Sequence, residues 1–87
     1  MNRQPIPPIT NRAEFYEAEQ TYQHRRYTAR WYRSLIITTP PTDQTPRALI
    51  EAREIDRKHF TKQAEKADKE ADAILEMMNE YENREAE

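Results

Sequence analysis

The residues best suited to chemistry lie in one stretch, His24 to Arg33, which reads HRRYTARWYR. Four arginines there interleave with Tyr27, Trp31 and Tyr32. A guanidinium offers a planar fork of N–H donors that grips carboxylate or phosphate in two places, and an aromatic ring gives a nucleobase a surface to stack on. On a helix, Arg26, Arg30 and Arg33 share one side, with Tyr27 and Trp31 on its flank. The partner- or anion-binding candidates are therefore Arg25, Arg26, Tyr27, Arg30, Trp31 and Arg33. Their matching ligands are an acidic protein, single-stranded nucleic acid or a nucleotide. A second reading of the same residues is internal: the aromatics belong to a core or interface, and the arginines pair with the acidic second half of the chain.

Covalent and acid–base chemistry find little to work with. There is no cysteine, Ser34 is the one serine, and the two histidines, His24 and His59, share no short metal-ligand spacing. Asp56 and His59 stand three apart and would share a helix face, which gives two ligands where a metal site needs more. The Glu-x-x-His pairs from which helical bundles build di-iron sites do not occur. Glycine is absent altogether, which removes phosphate-cradling loops and nucleotide fingerprints. The expectation is a non-enzymatic protein with no catalytic residues, no metal and no cofactor.

The elements that must carry these residues are helices. Phe60, Ala64, Ala67, Ala71, Ile74, Met78 and Tyr81 follow one another in unbroken steps of four and three, the apolar seam of an amphipathic helix. Thr45 as N-cap and Pro46 at the first helical position open this helix, predicted over 46–83, and 84–87 reads as a frayed acidic tail. Upstream, Asn11 is a good N-cap and Glu14 stands where a capping box needs its carboxylate. Helix one is predicted over 11–37, with Phe15, Ala18, Tyr22, Ala29, Tyr32 and Ile36 facing inward and Arg25 in the position the stripe lacks. Thr39 precedes Pro40 and is pushed out of the helical region, which stops the helix. Residues 1–10, with Pro5, Pro7 and Pro8, form an extended strap that Ile6 and Ile9 can pin to a helix, and 38–45 is a stiff Pro-rich connector. The fold class is all-α: an antiparallel hairpin of two long helices in a single domain.

Length then sets an expectation about assembly. Helix one would be about 38 Å long and helix two about 55 Å, so the hairpin leaves part of helix two without a partner. With the helices in register at the turn, that part is the C-terminal third, carrying Ile74, Leu75, Met77, Met78 and Tyr81. The seam from Phe60 to Tyr81 is therefore expected to mediate self-association, as a homodimer or larger helical bundle, or to take another protein.

Eighty-seven residues bury a modest core. Hydrophobic content of 36% against 34% charged, with a mean hydropathy of −1.21, points away from a membrane protein. MNRQPIPPIT has no apolar signal-peptide region, and a chain without cysteine fits a reducing cytoplasm. The net charge of −2 hides a gradient: six Arg against three Glu in 1–37, and eight basic against thirteen acidic residues in 38–87. A sequence pI of about 5.7 and an acidic C-terminus oppose a dedicated DNA binder. In size and charged helical make-up the chain resembles the small helical accessory proteins that phages and mobile elements use to inhibit or redirect host machinery. That resemblance carries no motif and transfers no residue roles; it implies an inhibitor or adaptor of a host protein.

Overall fold

The computed structural model describes residues 4–86; residues 1–3 of the expected strap and Glu87 of the expected tail lie outside them. The described chain forms two helices, α1 (Arg12–Ser34) and α2 (Arg47–Ala86), with no strand among the described residues. They run antiparallel. The Phe15 ring lies 5.6 Å from Tyr81 near one end, and the Tyr32 ring lies 6.2 Å from Phe60 at the other. The hairpin is a rod of 63 × 25 × 17 Å, and α2 spans nearly all of it, since 40 residues rise about 60 Å.

Local chemistry fixes the helix ends. Asn11 caps α1: its extended backbone lets Oδ1 accept the Glu14 N–H at 2.9 Å, and its carbonyl accepts the Phe15 N–H at 3.0 Å. The Glu14 carboxylate reaches one residue further back than a capping box would, accepting the Thr10 N–H at 3.0 Å and the Thr10 hydroxyl. At the other end α1 stops at Ser34, short of the predicted 37. Leu35 and Ile36 donate to Tyr32 and Arg33 carbonyls in tightened i→i−3 bonds, and the β-branched run Ile36–Thr39 offers little to prolong the helix. Pro46, expected as the first helical residue, instead takes the place Asn11 takes in α1: its carbonyl accepts the Ile50 N–H at 3.2 Å. The Thr45 hydroxyl turns back into the connector and accepts the Thr42 N–H at 2.9 Å. The C-terminal tail is helical to Ala86, and Arg84 donates to the Ile9 carbonyl at 3.1 Å.

Two apolar clusters hold the helices together. Ile9, Phe15, Ala18, Ile74, Met78 and Tyr81 form the larger one, with Ile6, Tyr22 and Met77 packed around it. Ala29, Ala64 and Ala67 form the second beside Tyr32, where side chains of one methyl let the backbones come close. Ala71 is fully buried as well.

The seam is thus consumed inside the chain, and the expected arrangement of the overhang is corrected. Ala64, Ala67, Ala71, Ile74, Met78 and Tyr81 are all buried, and Phe60 is half-buried. What lacks a helical partner is the N-terminal part of α2, roughly 47–58. The reason lies in that segment's own sequence. Continued backwards from Phe60, the seam face meets Asp56 and Arg53 before it reaches Leu49, so α1 gains nothing by docking there. It docks from Phe60 onward, and residues 35–46 run back along three turns of α2, about 18 Å, which an extended chain crosses easily.

Ile74 has no exposed surface at all, whereas Ile55 is 67% exposed. Ile74→Ala is expected to cost about 2–4 kcal/mol in urea denaturation, and Ile55→Ala to stay within about 0.5 kcal/mol of the parent.

Candidate interaction surface

The arginine–aromatic stretch splits into two groups once folded. Arg25, Arg26 and Arg33 face α2. Arg26 donates Nη1 to Asp68 at 2.8 Å and Nη2 to Asp72 at 2.6 Å, while its Nε donates to the Tyr22 hydroxyl at 3.2 Å. Arg33 Nη2 donates to the other oxygen of Asp68 at 2.5 Å. Arg25 Nε lies 2.7 Å from Glu70 Oε2, but the N–H is not aimed at the oxygen, so this contact is Coulombic rather than a formed hydrogen bond. The helical spacing explains the division. Positions 25, 26 and 33 flank the inward stripe Phe15–Ala18–Tyr22–Ala29, and an arginine there can lay its stem on the core edge and place its fork on an opposite carboxylate.

These pairs set the charge states. Hydrogen bonds from Arg33 and then Arg26 hold the Asp68 carboxyl below the ordinary aspartate value. The hydrogen bond to Tyr22 and the two aspartates push the Arg26 guanidinium further up from its already high value. Elsewhere, bonds from Thr10 hold Glu14 down, and the bidentate Arg57 contact, at 3.1 and 2.6 Å, does the same for Glu54.

Tyr27, Arg30 and Trp31 point the other way. Tyr27 is 65% and Trp31 49% exposed, and Arg30 forms no ion pair with any described residue. The six candidates therefore do not converge on one anion-binding face: three are tied to carboxylates across the hairpin, and three remain open to solvent.

A second exposed surface was not foreseen. Leu35, Ile37, Leu49, Ile50 and Ile55 are exposed at the turn end, where the connector lies on the overhang of α2. Ile37, Thr39 and Pro41 on one side and Ile50, Arg53, Glu54 and Arg57 on the other enclose a shallow groove. Arg53 also lines the adjoining hollow beneath Leu35 and Ile36, and its buried Nε has no hydrogen-bond partner among the described residues. The signal for this patch was present in the sequence as the interruption of the seam by Arg53 and Asp56, which sends α1 elsewhere and leaves Leu49 and Ile50 without a helix to cover them.

Among the described residues no group of three or more His, Cys, Asp or Glu side chains is placed to hold a metal ion, and no helix is long and apolar enough to cross a membrane. No protein family, no curated protein and no solved structure matches the chain.

The Asp68 pairing predicts an acid-sensitive component of stability. Because its folded-state carboxyl is held down, Asp68 stabilises the fold at neutral pH, and that contribution is lost as pH falls below the ordinary aspartate range, about 4. Asp68→Asn should lower stability by on the order of 1 kcal/mol at neutral pH. It should also show a shallower loss of urea midpoint between neutral pH and about pH 3 than the parent does.

Proposed function

We propose that this chain is a non-enzymatic protein-interaction module, and that the turn end of the hairpin is the surface it offers to a protein partner. The observation that carries this reading is the location of its uncovered aliphatic side chains. With the seam closed inside the chain, Ile37 and Ile50 line one groove and Leu35 the hollow beside it, while Leu49 and Ile55 are exposed on the same stretch of α2 and Trp31 just before the turn. Aliphatic residues grouped in this way, edged by Arg53 and by the Arg57–Glu54 pair, have the composition of a protein contact surface with an apolar centre and a charged rim. A partner that occupied this patch would be held by the end of a rod, a geometry suited to an inhibitor or adaptor of a host protein of the kind that phages and mobile elements deploy.

The Pro-rich N-terminus serves, in this proposal, as a strap that keeps the opposite end of the rod closed. Ile9 is 2% exposed in the main cluster, and its carbonyl receives Arg84. The strap leaves the seam unavailable and directs partners to the turn end.

The alternative ligand is an anion, single-stranded nucleic acid or a nucleotide, on Tyr27, Arg30 and Trp31, the three candidates not tied to a carboxylate across the hairpin. One capture experiment separates the two. Tagged chain is used to retrieve binders from the source cells, with Ile37→Asp/Ile50→Asp and Arg30→Glu/Trp31→Ala as paired variants. The protein reading expects a nuclease-resistant partner that the first variant loses and the second keeps. Binding that is nuclease-sensitive, steeply weakened by salt and lost only in the second variant would replace it with the anion reading.

A further inference from the structure

The face of α1 that points away from α2 belongs neither to the hairpin core nor to the turn-end groove. Ala13, Tyr16, Gln20, Gln23, Tyr27 and Arg30 succeed one another there in alternating steps of three and four, the spacing of a coiled-coil seam. All six are exposed, including the rings of Tyr16 and Tyr27. No charged residue interrupts the stretch from Tyr16 to Tyr27 along this line.

A second observation concerns charge along the rod. Arg25 stands opposite Glu70, so a cut at that level divides the molecule into a turn half and an open half. The turn half, residues 24–69, holds eleven basic against six acidic residues, a net +5. The open half, residues 4–23 and 70–86, holds two basic against nine acidic residues, a net −7. The gradient read along the sequence has become a gradient along the long axis. Two such rods laid side by side in parallel would place like charge on like over their whole length. Laid antiparallel, each positive half lies along a negative one.

We propose that a second copy of this chain packs on the outward face of α1, antiparallel, so that two α1 helices pair at the centre of the dimer and the two α2 helices lie outside them. Antiparallel seams place one kind of core position opposite the other. The register nearest the middle of α1 sets Tyr16 of one copy on Tyr27 of the second and Gln20 on Gln23. Two tyrosine layers then flank two glutamine layers about the two-fold axis. Glutamine amides hydrogen-bond across the axis as donor and acceptor, and a polar layer of this kind fixes register while keeping the affinity modest. The contact is isologous, so it closes at two copies. It uses a surface other than the turn-end groove and does not depend on that groove's partner.

The chain has no cysteine, so introduced thiols report position without background. Gln20→Cys, Gln23→Cys and Ser34→Cys all replace exposed residues, and unchanged helicity by circular dichroism would verify each fold. Under mild oxidation at concentrations where light scattering detects a dimer, an equal mixture of Gln20→Cys and Gln23→Cys should yield mainly the mixed disulfide. Ser34→Cys should stay monomeric on a denaturing gel. Tyr16→Asp/Tyr27→Asp should halve the native mass, Ile37→Asp/Ile50→Asp should leave it unchanged, and added salt should weaken the dimer several-fold. A mass of 10.5 kDa at every concentration would overturn the proposal. So would mass growing beyond two copies, Ser34→Cys joined to itself, or a dimer indifferent to the tyrosine variant.

Discussion

The phase of one apolar seam decides where everything else in this hairpin lies. From Phe60 to Tyr81 the inner face of α2 is small or apolar at every step, and before Phe60 it carries Asp56 and Arg53. Burying α1 against the first stretch removes aromatic and aliphatic surface from water; burying it against the second would strand charges. α1 therefore docks at a distance from the turn that joins it to α2, and the connector has to stretch to allow it. The uncovered aliphatic groups at the turn end and the long reach of α2 beyond its partner both follow from that offset.

The arginines of α1 act as the polar complement of the same docking. Alanines at 29, 64 and 67 bring the helices close but bury little area, and the gap in apolar content is flanked by Arg25, Arg26 and Arg33 reaching to Glu70, Asp68 and Asp72. These pairs are half-exposed, so each is worth a fraction of what a buried pair costs to break. Their larger contribution is to register: Arg26 bridges two aspartates one helical turn apart, and Asp68 bridges two arginines, a mesh that a shift of one turn along the seam would undo.

Much of the fold could be read from residue order alone, because helices advertise themselves locally. The seam spacing, the Asn11 cap and the break before Pro40 each depend on neighbours within one or two turns. What could not be read was which stretch of α2 would meet α1, since periodicity identifies an apolar face without naming what covers it. Alignment of the two helices at the turn is not required of a chain whose connector can run back along α2. The division of the arginine–aromatic stretch was hidden for a related reason. Arg26 and Arg30 sit one turn apart on α1, yet a rotation of little more than a ring's width decides whether the guanidinium meets Asp68 or solvent, and composition treats them alike.

The unsupported beginning of α2 gives the molecule an uneven distribution of local stability. From Phe60 on, each turn of α2 is held by tertiary packing and opens only when the hairpin does. The twelve residues from Arg47 to Lys58 are held by their own hydrogen bonds and a connector lying across them, and a free helix of that length is marginal in water. Amide exchange should therefore rise in a step along a helix that is geometrically continuous. The rod is thus a stiff shaft with a soft handle, and anything that grips the handle loses part of its affinity to ordering a helix that is only locally secured.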